Sequence, residues 1–169
     1  LLLFLGLNAF SQDLAFGKKI VDTLTSPAFW GRGYTNDGMK KAADFLVANH
    51  IKGNFFNDFN SGAYLLGRCS PRIKVFIDGR TEVYGGVFFN QYQDIWLRAD
   101  TETIKRSFSK YKVTGALLSS VKQHIPSPIL KYFYDHKEWA LVYFDYDGVI
   151  FLKYTPENKA TIDRYAIDL

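Results

Sequence analysis

Two short apolar runs, separated by a stretch of mixed polarity, dominate the middle of the chain. The first run covers residues 54–56 and the second covers residues 74–77, and each is followed by polar side chains. The segment between them, NSGAYLLGRC, is long enough for a short crossover helix. This pattern predicts a βαβ unit with polar groups at the carboxyl ends of two parallel strands, where open α/β sheets usually bind their ligands.

The rest of the pattern extends this unit into a larger sheet. VFFNQYQDIWLR carries apolar residues at helical spacing, and Asp100 and Ser127–Pro128 are start signals for two further helices. VTGALLSS has the pattern of a buried strand, and WALVYFDYDGVIFLKY that of two strands joined around Asp147–Gly148. We therefore predict a three-layer α/β fold with a mixed, mostly parallel sheet of about five strands, a C-terminal β-hairpin and a helical N-terminal arm.

The chain begins with LLLFLGLNAF, which is almost entirely apolar. The run is too short to span a membrane and matches the apolar part of a secretory signal peptide. Two alternatives are the end of a preceding transmembrane helix and a buried segment of the core. We predict four regions: a signal-peptide remnant or membrane-helix end over residues 1–12, a helical arm over 13–50, the α/β domain over 51–155 and a C-terminal tail over 156–169.

Composition and charge narrow the classes of function. Hydrophobic residues make up 47% of the chain, which is enough to build a buried core. The net charge is +4, but the lysines and arginines are scattered along the sequence, so the pattern does not indicate nucleic-acid binding. The single cysteine, Cys69, excludes an intrachain disulfide, and we expect it to be buried and inert.

Polar side chains that follow three predicted strands define a candidate binding cleft. If the strands are parallel neighbours, these side chains converge at one edge of the sheet. They either line a polar cleft for a ligand or satisfy one another internally. We expect Asp58, Asp78 and Arg80 in particular to lie close together. The candidate cleft residues are Asn57, Asp58, Asp78, Arg80, Tyr84 and Ser119.

No pattern in the chain predicts catalytic residues or a cofactor. Asp58 and Asp78 would need a set separation and split pKa values to act as an acid–base pair, and the sequence shows neither. Ser119–Ser120 lacks the G-x-S-x-G elbow, and no G-x-G-x-x-G or Walker pattern occurs. We therefore predict no catalytic residue, no cofactor and no metal site.

The stretch DTLTSPAFWGRGYTNDGMKKAADFL resembles the start of mature M28-type zinc aminopeptidases. In that family a loop of the form L-S-x-x-F-x-G-R-G precedes a helix that carries K-A-A-D-Y/F, and the resemblance covers roughly residues 11–46. The family's zinc ligands lie further along, on H-x-D and E-E motifs. Here His50, His124 and His136 stand in no such spacing, and no Glu-Glu pair occurs. A cocatalytic zinc site needs several converging ligands, so we expect no peptidase activity and no tightly bound zinc.

From Gly53 onward the chain resembles a different family. GNFFNDFNSGAYLLGR and KVFIDGRTEVYGG are similar to two segments of the extracytoplasmic C-terminal domain of polytopic GT-C-type glycosyltransferase-like membrane proteins. Those segments read G-x-x-F-N-D-y-x-x-G-G-Y-L-I-w-r and k-V-F-I-D-G-R-x-x-x-Y. The resemblance covers roughly residues 40–154 and departs at Ala63, where a second glycine is common. The matching residues are Asn57, Asp58, Gly62, Tyr64, Leu65, Phe76, Asp78, Gly79, Arg80 and Tyr84.

This second resemblance implies a function. In those proteins the catalytic acid and the lipid-phosphate donor site lie in loops between transmembrane helices, which this sequence does not contain. The resemblance therefore implies a non-catalytic domain on the periplasmic or outer face of a membrane, either membrane-associated or secreted. Its partner would be a membrane-embedded part of the same or another protein, a glycan or a lipid-linked sugar. Two alternatives remain open: a fragment or fusion of an M28-type peptidase without its active site, and a small stand-alone enzyme that uses the strand-end cleft.

Overall fold

The computed structural model describes residues 39–119, 127–145 and 148–168. The apolar N-terminal run, residues 13–38 of the predicted helical arm and most of the peptidase-like stretch lie outside the described residues, as do Ser120, His124 and Asp147. Within the described ranges the chain forms six helices and five strands. Their bounds are α1 (Lys40–Ala48), β1 (Gly53–Asn57), α2 (Gly62–Cys69), β2 (Ile73–Val75), α3 (Thr81–Arg98), α4 (Thr101–Lys110), β3 (Val113–Ser119), α5 (Pro128–Asp135), β4 (Trp139–Phe144), β5 (Gly148–Lys153) and α6 (Lys159–Tyr165).

The strands form one mixed sheet in the order β2-β1-β3-β5-β4. Strand β1 pairs in parallel with β2 on one side and with β3 on the other. Strand β5 is antiparallel to both β3 and β4, so the last two strands form the predicted hairpin at one end of the sheet. The predicted α/β fold with a five-stranded mixed sheet is therefore confirmed.

Each face of the sheet is covered by three helices, which gives the three layers. Successive residues of a strand point to opposite faces. Phe56 therefore packs against α3, α4 and α5, in a cluster that includes Phe108 and Phe133. Phe55 packs against the other three helices, together with Leu46 and Leu65. Both phenylalanines have no exposed surface, so β1 lies at the centre of the fold.

The start signals of two helices are confirmed. Asp100 accepts a hydrogen bond from the backbone N–H of Thr103 at 2.8 Å, which satisfies one of the free donors at the start of α4. Ser127 accepts one from the backbone N–H of Leu130 at 3.3 Å at the start of α5, and Pro128 occupies the first helical position.

Helix α3 begins earlier than the apolar stripe that starts at Val87 predicts. It begins at Thr81, and Gly85 interrupts it with non-helical angles, φ 72° and ψ 159°. These angles belong to a region that only glycine adopts readily. The interruption separates a first turn, which carries Tyr84, from the long apolar stripe that covers the sheet.

The hairpin prediction is right about the strands and wrong about Gly148. Tyr143 pairs with Ile150 and Phe144 with Val149, as expected for antiparallel neighbours. Gly148, however, is the first residue of β5 and lies opposite Ser119 rather than in the turn. Its φ is not in the left-handed region that a type I′ turn requires.

Gly148 instead lies directly beneath the start of α1. A Cβ at this position would lie 3.1 Å from the Sδ of Met39 and 3.4 Å from the Cβ of Ala42. These two residues belong to the buried face at the start of α1, which therefore rests directly on the backbone of β5.

The first and last described helices belong to the core of the α/β unit. The buried side chains of α1 and Ile162 of α6 lie in the same cluster as Ile150 and Leu152 of the sheet. Residues 40–48 of the predicted arm and residues 159–165 of the predicted tail are thus packed parts of the domain. The reason is that the second face of the sheet would otherwise expose its apolar side chains to water.

Candidate binding cleft at the carboxyl edge of the sheet

The candidate residues lie at the carboxyl edge of the three parallel strands. Helix α2 follows β1 and packs on one face of the sheet, whereas α5 follows β3 along the chain and packs on the other. Strands β1 and β3 are neighbours, and the helices that come next along the chain after these two strands thus lie on opposite faces of the sheet. Such a switch point opens a crevice at the carboxyl ends of the strands, where ligands of open α/β sheets bind.

Asn57 joins the ends of β1 and β2. Its side-chain amide donates to the carbonyl oxygens of Asp58 and Ile77, both at 2.8 Å. Its Oδ1 accepts from the backbone N–H of Phe76 at 2.9 Å. The side chain is fully buried, so Asn57 continues the pairing of the two strands beyond the point where β2 ends.

Asp58 occupies the switch point itself. Its Oδ1 accepts from the backbone N–H of Ser61 at 2.9 Å, and its Oδ2 from that of Ser119 at 3.2 Å. One carboxylate thus connects the end of β1, the start of α2 and the end of β3. Burial raises the pKa of Asp58, and the backbone N–H groups that donate to it act in the opposite direction.

Asp78 and Arg80 form a bidentate ion pair beside this switch point. The Nε of Arg80 donates to Oδ1 of Asp78 at 2.9 Å, and an Nη donates to Oδ2 at 2.5 Å. The backbone N–H of Arg80 also donates to Oδ1, at 3.0 Å. These bonds, those from the Arg80 side chain first, lower the pKa of Asp78 to about 2. The carboxylate is therefore ionised at neutral pH.

The two partners of this pair differ in exposure. The side chain of Asp78 is 1% exposed, whereas that of Arg80 is 57% exposed. Tyr84 is half-buried, and burial is the main cause that raises its pKa, with a smaller contribution from Asp78 in the same direction. The buried carboxylate thus holds in place a guanidinium that reaches the solvent, and the partly exposed Tyr84 contributes to the electrostatics of the same pair.

Asp58 and Arg80 form separate contacts at this edge. The hydrogen bonds of Asp58 come from backbone N–H groups, and the ion pair of Arg80 is with Asp78. The edge therefore consists of two internally satisfied clusters: Asp58 with Ser61 and Ser119, and Asp78 with Arg80 and Tyr84. The role of either cluster in ligand binding remains a prediction.

Two residues of the edge were not predicted as parts of the cleft. Ser61 donates its hydroxyl to the carbonyl oxygen of Asp58 at 3.0 Å in addition to its backbone bond. The spacing D-x-x-S is a local turn signal that could have identified it. Gly62 has no room for a side chain, because a Cβ there would overlap the carbonyl oxygen of Ile77 and lie 2.8 Å from the Cα of Asp78. The start of α2 and the segment that follows β2 are therefore in direct contact.

The described residues contain no group of three or more His, Cys, Asp or Glu side chains arranged to hold a metal ion. Cys69 is buried, with its thiol 3.9 Å from the carbonyl oxygen of Ala43, and burial raises its pKa.

Of the helices in the described part of the chain, none is long and apolar enough to cross a membrane. Comparison with known proteins found no matching family, no similar curated protein and no similar solved structure.

Proposed function

We propose that this chain contributes a non-catalytic, extracytoplasmic α/β domain of a membrane glycosyltransferase-like protein. In this proposal the carboxyl edge contacts a glycan or a lipid-linked sugar, or docks on the membrane-embedded part of the same or a partner protein. The observation that carries the proposal is the exposure of Arg80 above a carboxylate that is itself buried and ionised. The proposal also rests on the resemblance of the two segments around Asp58 and Arg80 to the C-terminal domain of GT-C-type membrane proteins.

The chemistry of the two acids supports binding rather than catalysis. Enzymes that hydrolyse glycosidic bonds commonly use two carboxyl groups that contact the substrate, and one of the two must be protonated to act as the general acid. Asp78 has a pKa of about 2 and is therefore a poor proton donor at neutral pH. The two oxygens of Asp58 already accept hydrogen bonds from Ser61 and Ser119. Both carboxylates are thus engaged in holding the edge together.

The exposed groups support recognition of a sugar or a phosphate. A guanidinium offers a planar array of donors that suits phosphate oxygens, and Arg80 uses only part of that array on Asp78. Because Asp78 fixes its orientation, less side-chain entropy is lost when a ligand binds. Tyr84 adds a ring and a hydroxyl next to it.

The test is a comparison of Arg80→Lys with the matched variant Arg98→Lys, in the full chain. Arg98 also pairs with a carboxylate, Asp94 at 3.3 Å, and is exposed, but it is the last residue of α3, whereas Arg80 directly precedes the first. Thermal melting and calorimetric titration would be performed with a soluble oligosaccharide and with a polyprenyl-phosphate sugar in detergent micelles. We expect Arg80→Lys to weaken binding by about tenfold, since an ammonium cannot reproduce the guanidinium fork. The melting temperature should fall only modestly, because the lysine keeps a positive charge beside Asp78.

Two results would contradict the proposal. One is a fall in melting temperature for Arg80→Lys without any measurable binding by the unmodified chain, which would make the pair purely structural. The other is equal weakening of binding by both variants, which would place the ligand elsewhere or make its attraction non-specific.

Asp58 favours a second candidate, a small stand-alone enzyme. A buried carboxyl group with a raised pKa at a switch point is the kind of group that active sites use as an acid. If this candidate is right, Asp58→Asn should abolish a hydrolytic or transfer activity while the fold, monitored by circular dichroism, is retained. An unmodified chain without such activity on a panel of glycosides and esters would rule it out.

A further inference from the structure

The opposite edge of the sheet gathers cations that are scattered in the sequence. Strands β1, β2, β3 and β4 all begin at this amino edge, because β4 is antiparallel to β5 and β5 to β3. The loops that lead into these strands, together with the short strand β2, are rich in lysine and arginine. The basic residues of this edge, here called the amino-edge cations, are Lys52, Arg72, Lys74, Lys110, Lys112 and Lys137.

The amino-edge cations are not neutralised by neighbouring acids. All six are exposed, and none of them forms an ion pair with a carboxylate in the described part of the chain. Glu138 lies at the same edge but is engaged by Lys153 at 3.2 Å. By contrast, the cations on the helices are mostly paired, for example Lys131 with Asp135 and Lys159 with Asp163.

The shape of this basic edge suits a broad polyanion rather than one small anion. The cations extend from β2 to β4 across the whole sheet, and four strand separations of about 4.8 Å make this about 19 Å. Tyr154 follows β5 at the same edge and is 57% exposed. Exposed tyrosines beside cations are typical of surfaces that lie at the interface of a lipid bilayer.

The residues of this edge are less suited to binding an extended, single-stranded nucleic acid than to binding a lipid bilayer. Recognition of single strands relies on aromatic rings that are open for stacking with bases. The ring of Tyr111 is covered by Lys110, whose Nζ lies 5.0 Å from its centre. Tyr111 also packs edge-on against Phe76 and Phe88 of the core, so its ring is not presented as a stacking platform.

We propose that the amino edge is a docking surface for an anionic phospholipid bilayer. The choice of a bilayer as the polyanion rests on the proposed function, which places the domain at a membrane. The carboxyl edge lies at the other end of the strands, about 20 Å away for five to seven residues. With the amino edge on the bilayer, Arg80 faces away from it. Of the ligands proposed above for the carboxyl edge, this orientation selects a glycan that extends from the membrane, because the phosphate of a lipid-linked sugar lies at the bilayer surface, out of reach of Arg80.

The experiment measures binding of the full chain to phosphatidylcholine vesicles with and without about one third phosphatidylglycerol, by co-sedimentation at low and high salt. The test variant is Lys52→Gln/Lys112→Gln, which removes cations before the two central strands β1 and β3. The matched control is Lys41→Gln/Arg106→Gln, which removes the same charge from exposed positions within α1 and α4 that form no ion pair in the described part of the chain. The apolar residues 1–10 are present in every variant, so the difference between the two variants reports on the amino edge alone.

We expect the unmodified chain to bind anionic vesicles more tightly than neutral ones, and high salt to abolish the difference. Each amino-edge cation should contribute roughly fivefold, so the test variant should bind about 25-fold more weakly, and the control should change by less than about twofold. If the test variant melts at a lower temperature, Lys137→Gln alone replaces it, with an expected loss of about fivefold.

Three results would overturn the proposal: equal binding to neutral and anionic vesicles, equal weakening in both double variants, and displacement from vesicles by duplex DNA at equal phosphate concentration. The last would assign the edge to nucleic acid. Glycan binding through Arg80 is measured without vesicles, so its failure and the failure of this proposal are separate observations.

Discussion

The carboxylate of Asp58, which directly follows β1, accepts a hydrogen bond at 3.2 Å from the backbone N–H of Ser119, the last residue of the neighbouring parallel strand β3. The residues are 61 positions apart in the sequence. The same carboxylate also holds the first turn towards α2 through Ser61. A single buried acid therefore sets the relative position of three chain segments at the candidate cleft.

Replacement of Asp58 by asparagine should destabilise the protein by about 1–3 kcal/mol. The amide keeps one acceptor, but its NH₂ group would face the N–H of either Ser61 or Ser119 and leave a buried donor unsatisfied. Urea unfolding would measure the loss. The control is Asp94→Asn, whose carboxylate is half exposed and should change the stability by less than about 0.5 kcal/mol. Equal effects of the two changes would contradict the role of Asp58.

Asp78 should make the stability depend on pH in the acid range. The Arg80 bonds lower its pKa from 3.8 to about 2, so the folded state binds this proton more weakly than the unfolded state. The stabilisation is therefore fully present above about pH 5 and is lost as the pH falls from about 4 to about 2. Because solvent surrounds Arg80, we expect a contribution on the order of 1–2 kcal/mol.

The measurement for Asp78 compares urea midpoints of the unmodified chain and Asp78→Asn between about pH 2 and 6. The difference between the two proteins should shrink on acidification. Asp58 contributes with the opposite sign, because burial raises its pKa and protonation relieves its buried charge. Because both proteins contain Asp58, its contribution cancels in the difference between their urea midpoints. A constant difference across the range would show that the ion pair does not stabilise the fold.

Gly148→Val should destabilise the protein by about 1–3 kcal/mol through a clash with α1. The reason is the 3.1 Å separation between a Cβ at this position and the Sδ of Met39. Combination with Met39→Ala, which opens space, should recover part of the loss in a double-mutant cycle. If the two changes were simply additive, the contact between α1 and β5 would not be the cause.

Gly62→Ala and Gly67→Ala should have opposite effects although both lie in α2. A methyl group on Gly62 meets the backbone of Ile77 and Asp78, which cannot move away without separating the start of α2 from the segment that follows β2, so we expect a loss of about 3 kcal/mol or more. A Cβ on Gly67 meets nothing within 4 Å, so alanine should stabilise the helix by up to about 1 kcal/mol. Thermal melting of both variants would check this. A neutral Gly62→Ala would contradict the close contact of these two segments.

The order and type of the elements were determined by the sequence alone. The βαβ unit around Phe55, the cap residues Asp100 and Ser127, and the two strands of the hairpin were all predicted correctly. Each of these features depends on neighbours within a few positions: the period of apolar residues, a side chain that reaches the next turn, or a short connection. Such local preferences act before any distant contact is made.

Only the tertiary structure decided which distant groups meet. Asp58 bonds to Ser119 because β3 lies beside β1, and a side chain at Gly148 would press on Met39 because the start of α1 packs on β5 at that point. The basic residues that look scattered along the chain meet at one edge because four strands begin there. These contacts depend on strand order and on how helices cross the sheet, and no local pattern in the sequence contains that information.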